Sequence, residues 1–297
     1  MKGRLLVILA TVLLGNSGFG AEPRRIAFER GRDIWVVNLD GSDAKKITRG
    51  NQPDISPDGT KVAFHVDVEG SANRHIAIAD MATKRVTIFT KEIPSANCQG
   101  AVWSPDRSKI LFNLYDAQEW FIGLVNPDGT GFRYLKRAPG GPNPMWSACW
   151  APDGDNIYAQ NLDEISKRNL EGNLLKSWEI QKVIPSAGMT SASHMSVSPD
   201  GNSLLLDMEV TDEEVNRKDW DGPPPSIWKL DLTSEKAVRL TPKGLFGWYG
   251  IWLGNDEILF VSQAANEKQP SLWRMDSKGE NRKLVVKNAD RPSVSTK

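Results

Sequence analysis

The sequence predicts an all-β fold, a six-bladed β-propeller with four antiparallel strands in each blade, and three observations lead there. A turn of the form Ser-Pro-Asp-Gly recurs between two apolar runs. The recurrence has a period of about 40 to 50 residues, which is the length of one propeller blade. One copy of the repeat is divided between the two ends of the chain.

At the N-terminus, Lys2 and Arg4 precede the apolar run Leu5 to Leu14, which is too short to span a bilayer. Residues 1–20 therefore read as a secretory signal, with Gly18 and Gly20 as the small residues before the cut, and residues 21–297 as one propeller domain. No later apolar stretch has membrane length, so a periplasmic or secreted protein without an integral membrane segment is expected.

The hairpins come next along the chain. They are Ile55-Ser-Pro-Asp-Gly-Thr-Lys-Val-Ala-Phe64, Trp103-Ser-Pro-Asp-Arg-Ser-Lys-Ile-Leu-Phe112, Trp150-Ala-Pro-Asp-Gly-Asp-Asn-Ile-Tyr-Ala159, Val197-Ser-Pro-Asp-Gly-Asn-Ser-Leu-Leu-Leu206 and the degenerate Trp252-Leu-Gly-Asn-Asp-Glu-Ile-Leu-Phe260. Pro presets φ, Asp bonds to its own backbone and Gly accepts positive φ, so the motif reverses the chain between two strands. A third strand follows each polar loop, as in Asp33-Ile-Trp-Val-Val and Ser226-Ile-Trp-Lys-Leu, and a fourth follows turns such as Asp40-Gly41. Arg25-Ile-Ala-Phe28 matches a second strand with no first strand ahead of it. Arg291-Pro-Ser-Val-Ser295 resembles Gln52-Pro-Asp-Ile-Ser56, so the C-terminal strand is expected to complete the first blade.

The Ser-Pro-Asp-Gly hairpin, a third strand ending in Asp-Gly and a following Arg/Lys-x-Leu/Ile-Thr together resemble the repeat of TolB-like propellers, also called WD40-like or PD40 repeats. The resemblance covers essentially residues 22–297 and implies the fold. Because the first blade begins near Arg25, the separate α/β domain that precedes the TolB propeller is not expected.

Lys plus Arg equals Asp plus Glu at 37 each, without a basic cluster, which argues against nucleic acid and anionic lipid as partners. No G-x-S-x-G, H-E-x-x-H, G-x-x-x-x-G-K-[ST] or post-strand G-x-G-x-x-G motif occurs. Around Asp219-Trp-Asp221-Gly222, Arg217 and Trp228 occupy ligand positions that a calcium loop reserves for acids. Neither catalytic residues nor a metal or other cofactor is expected. Cys98 and Cys149 lie about 13 Å out of register along their strands, so no disulfide is expected between them.

Candidate binding residues come from the starts of the innermost strands, which ring the mouth of a propeller's channel. Gln52, Ser147, His194 and Tyr249 share that position, and Trp146 and Trp248 share the one before it. Aromatic platforms with a few polar groups suit a peptide, a glycan or a side chain of an envelope protein. Oligogalacturonate lyases are similar propellers that hold a divalent metal with several His and a Gln, which invites comparison with His194 and Gln52. His65 and His75 read as solvated surface residues, and Asp207 to Ser226 as a long acidic loop on the same face. The expectation is a monomeric, noncatalytic binding or interaction module of the cell envelope. A polysaccharide-active propeller and a structural scaffold are the alternatives.

Overall fold

The structure, a computed structural model, describes residues 24–93, 97–116, 118–135, 145–211, 213–215, 217–265 and 267–296. The expected signal segment lies outside the described residues. The repeated turns form as their chemistry dictates. The Ser56 N–H and the Lys61 carbonyl close the first, the Ser56 hydroxyl accepts from the Lys61 N–H at 2.9 Å and donates to Asp58 at 2.7 Å, and Gly59 takes φ +70°. Ser104 with Asp106, and Ser198 with Asp200, repeat the arrangement.

The strands fall into five hydrogen-bonded sheets. In the first, the C-terminal strand Asp290–Val294 pairs antiparallel with Arg25–Arg30, followed by Asp33–Asn38 and Lys45–Arg49. The second sheet runs from Asn51–Ile55 through Lys61–Asp67 and Arg74–Asp80 to Asn97–Trp103, Ile110–Asp116, Glu119–Val125 and Arg133–Tyr134, with Val86–Ile88 as a side branch. The third holds Trp146–Trp150, Asn156–Gln160, Glu164–Asn169 and Leu174–Glu179. In the fourth, Ala187–Gly188 and Met195–Val197 both pair with Ser203–Val210, ahead of Pro225–Asp231 and Ala237–Arg239. The fifth holds Gly247–Trp252, Glu257–Ser262, Ser271–Asp276 and Lys283–Lys287.

This corrects the expectation of six separate blades. The discrete blades number four, because the stretch from Asn51 to Tyr134 forms one continuous eight-stranded sheet. The physical reason is a parallel bridge between Arg74 and Asn97, reinforced by the Arg74 guanidinium donating to Gln99 Oε1 at 2.5 Å.

Apolar residues are packed between successive sheets around a common axis. Phe28, Ile26 and Val37 meet Ile251, Leu259 and Leu272 of the fifth sheet, which closes the ring. Trp103, Trp150 and Trp252 are buried as blade packing, and the indoles of Trp150 and Trp252 donate to the Val102 and Ser196 carbonyls of the preceding inner strand. The inner strands are also clasped side chain to backbone. Ser293 accepts from the Ile55 N–H at 2.8 Å and Asp54 from the Trp103 N–H at 2.7 Å. Cys98 and Cys149 are both buried and neither is in a disulfide. Among the described residues no helix is long and apolar enough to cross a membrane.

Candidate functional site

The inner strands carry an irregularity that builds the site. Their pairing with the second strands shifts register between Asn51 and Asp54, Gln99 and Val102, Trp146 and Cys149, and Trp248 and Ile251. At each shift one residue turns left-handed: Gln52 at φ +49°, Gly100 at +66°, Ser147 at +51° and Tyr249 at +51°, with Arg291 at +44° in the C-terminal strand. Such β-bulges re-aim side chains, and a left-handed conformation in residues with a Cβ is strained. The repeat thus spends stability to re-aim one residue in each of these strands, while Met195–Val197 of the fourth sheet pairs without such a shift.

A second set lies beneath them. The residue after each apolar run of the second strands is Glu29, His65, Asn113, Gln160 or Asp207, and all five are less than one-tenth exposed. Two of them, Asp207 and Glu29, accept N–H groups of the bulged strands. The Asp207 carboxylate accepts N–H bonds from Tyr249 at 2.6 Å, Gly250 at 3.3 Å and His194 at 3.4 Å. Glu29 accepts from the Gln52 N–H and is paired with Arg291 at 2.9 Å. Asp290 accepts from the Trp248 indole at 3.0 Å.

Electrostatics follow from the enclosure. Burial pushes the Asp207 carboxyl up to about 7 against those three N–H donors, and pushes Asp54 up to about 7 against the single Trp103 N–H. Burial raises Glu29 as well, opposed by Arg291. Burial holds His194 down at about 4, partly offset by the Gly250 backbone, and His65 at about 4, with Arg74 adding to the effect. His194 keeps part of its surface accessible.

The structure brings four of the expected residues into this network. His194 stacks on Tyr249 at 3.9 Å and 18°, Trp248 is tied to Asp290, and Gln52 to Glu29. Ser147 stands beside it, its hydroxyl donating to the Ser191 carbonyl at 3.2 Å, and Trp146 is half-buried opposite Gln160 in the neighbouring sheet. Trp248 is not an open platform. Trp220 leans over it at 6.1 Å and meets Phe246 edge-on at 5.1 Å.

The acidic loop accordingly differs from a solvated loop. Asp207 and Glu209 belong to the strand Ser203–Val210, Glu213 is paired with Arg239 at 2.7 Å, and Arg217 packs on Phe246 while donating to the Gln263 carbonyl. Asp212 lies outside the described residues. His65 is buried rather than solvated, because it sits inside the strand Lys61–Asp67, opposite Asn51 and Ile76 of the two flanking strands. Sequence reasoning missed Glu29, His65, Asn113, Asp207, Asp290 and Arg291 as members of the site. The signal was present: a polar residue directly after each apolar run, and Arg291-Pro aligned with Gln52-Pro.

Unpartnered buried polar atoms gather here among the described residues, namely Gln52 Oε1, His65 Nδ1, Asn113 Oδ1 and His194 Nδ1. No group of three or more His, Cys, Asp or Glu is gathered as metal ligands among the described residues.

Known proteins share this architecture. Residues 39–120 match the prolyl oligopeptidase N-terminal β-propeller domain. TolB from Acinetobacter baumannii superimposes with a TM-score of 0.66 at 15% identity, covering 92% of this chain and 66% of that one. The fold is that of a TolB-like β-propeller. Oligogalacturonate lyase from Vibrio parahaemolyticus also matches, with a TM-score of 0.54 at 16% identity over 85% of this chain and 74% of that one. In sequence, Tricorn protease homolog 1 of Streptomyces coelicolor is 32% identical over 95 residues, which are 30% of this chain and 8% of the relative. The chain therefore spans a small part of that relative, and at these identities the structural likenesses concern the fold.

Proposed function

We propose that this TolB-like propeller is a noncatalytic binding module, exported to the cell envelope, that takes an extended peptide segment of a partner protein on the face where the inner strands begin. The observation that carries the reading is the concentration of strained bulges, an aromatic stack and unpartnered polar atoms at one place. Gln52, Tyr249 and Arg291 are held left-handed there, His194 lies flat on Tyr249, and Gln52 Oε1 and His194 Nδ1 lack partners among the described residues. Strain and unsatisfied buried groups are costly in a protein that gains nothing from them, and ligand atoms that complete them recover the loss. The signal-like N-terminus supports export.

The test is affinity capture from envelope extract with the tagged mature chain as bait. His194→Ala and Trp146→Ala are expected to lose a protein that the wild type retains, whereas Asp58→Ser in a Ser-Pro-Asp-Gly turn on the opposite face keeps it. Retention by both mouth variants together with loss by Asp58→Ser would place the binding surface on the turn face and overturn the reading.

A further inference from the structure

Two adjoining clefts of about 450 and 480 Å³ open beside the mouth, between the first sheet and the eight-stranded sheet, and share Arg32, Asp67 and Glu69. The second cleft is also lined by Arg49 and Asn51, and Asn51 directly precedes the bulged Gln52. Arg32 and Arg49 come from neighbouring strand ends, since the Gly50 N–H donates to the Arg32 carbonyl at 3.1 Å. Both side chains reach the same space.

Their charges are uncommitted. On this electrically balanced chain some surface bases pair with acids, as Lys61 does with Asp80 and Arg107 with Asp58. Asp33 lies opposite Arg49 in the strand pairing, yet it is bonded to Lys46 at 2.7 Å. Asp67 is engaged by Asn51 at 3.4 Å and faces Arg74 at 4.0 Å. Among the described residues neither Arg32 nor Arg49 has an ion pair, and neither has Glu69. Two guanidinium groups that line one cleft and hold no ion pair can together receive a carboxylate.

We propose that Arg32 and Arg49 clamp a single carboxylate of a bound peptide, whose chain then passes Asn51 into the mouth at Gln52. Asp67 and Glu69 in the same groove decide the ligand class. They repel a polymer with a carboxylate on every unit, such as a polyuronate, but accept the main-chain N–H groups that flank an acidic residue in a peptide. The inference rests on the peptide-binding reading above.

The experiment has two arms that separate this proposal from that reading. In the first, arginine Nε–H resonances of the mature protein are followed while N-acetyl-aspartate methylamide or its asparagine analogue is added. Saturable shifts at Arg32 and Arg49 with the aspartate compound alone are expected, and equal response to both compounds, or none, overturns the clamp. In the second, fluorescence anisotropy measures a labelled Gly-Ser-Trp-Asp-Ser-Gly peptide at low salt. Replacing its Asp by Asn, or introducing Arg32→Gln with Arg49→Gln, is expected to weaken binding about tenfold, the scale of one charge-assisted bidentate contact. Because both arginines are exposed, the variants are expected to melt as the wild type does, which the same samples verify by circular dichroism. Binding that ignores both changes overturns the clamp and leaves the peptide reading standing. A clear response in the first arm, without peptide binding in the second, supports the clamp and overturns that reading.

Discussion

At the residue scale the centre of the molecule is governed by groups whose charge the protein suppresses. Asp54 and Asp207 rise from an ordinary 3.8 to about 7 because burial penalises the carboxylate more than their N–H donors favour it. In the folded state they keep protons that the unfolded chain has already released. Their contribution to stability is therefore complete below about pH 4 and lost as pH rises through about 7. His65 and His194, held at about 4, contribute in the opposite sense, with stability present above 6.5 and lost as pH falls through about 4. Asp54→Asn combined with Asp207→Asn removes only the acid arm. The melting temperature of the wild type minus that of the double variant is expected to fall between about pH 5 and about pH 8. A constant offset across that range would show that the two carboxyls do not titrate there.

At the element scale, the Ser-Pro-Asp-Gly hairpin works because its last residue is left-handed. Gly59, Gly154 and Gly201 take φ of +70°, +74° and +75° at no steric cost, but in the second copy Arg107 is forced to +67°. The Arg107 guanidinium pairs with Asp58 of the neighbouring turn, an exposed contact that contributes little. Arg107→Gly is expected to stabilise the protein by up to about 1 kcal/mol, since a left-handed residue with a Cβ costs about 1–2 kcal/mol and glycine's unfolded freedom returns part of it. Urea denaturation is the measurement, and a less stable variant would mean that the ion pair outweighs the strain. The outer turns lock sheet to sheet in a related way. A Cβ on Gly279 would sit 2.2 Å from the Leu240 carbonyl oxygen of the preceding sheet, so glycine there permits the close approach of two backbones.

At the scale of the whole molecule, the ring is held closed by its last strand. Asp290–Val294 completes the first sheet, and Arg24 returns the favour from the other terminus by donating to the Ser295 carbonyl at 2.9 Å and the Leu253 carbonyl at 2.7 Å. Deleting residues 290–297 removes Arg291 from the buried Glu29, Asp290 from the Trp248 indole and Ser293 from the Ile55 N–H, and exposes the Arg25–Arg30 edge. The expected loss is about 3 kcal/mol or more, because one unpaired buried carboxylate alone reaches that scale. Calorimetry that finds an unchanged melting temperature would refute the closure. The loss should also disturb the candidate site, since Arg291 and Asp290 belong to it.

Local chemistry in the sequence determined the repeat, the hairpins and the all-β class, because proline, aspartate and glycine act on their own backbone and the apolar runs on either side need no distant partner to declare themselves. It also located the inner-strand starts, so Gln52, His194, Trp248 and Tyr249 were legible as candidates. How many sheets result was decided by tertiary structure, since the bridge from Arg74 to Asn97 joins segments whose own patterns read as separate blades. The same holds for the lower layer of the site. The polar residue after each apolar run marks Glu29 and Asp207 in the sequence but not what they meet; they bond the inner strands because the β-bulges there leave N–H groups without a ladder partner and something polar must meet them. Trp248 as a free aromatic platform failed for the same reason, because Trp220 approaches it from a loop whose path only the folded ring defines.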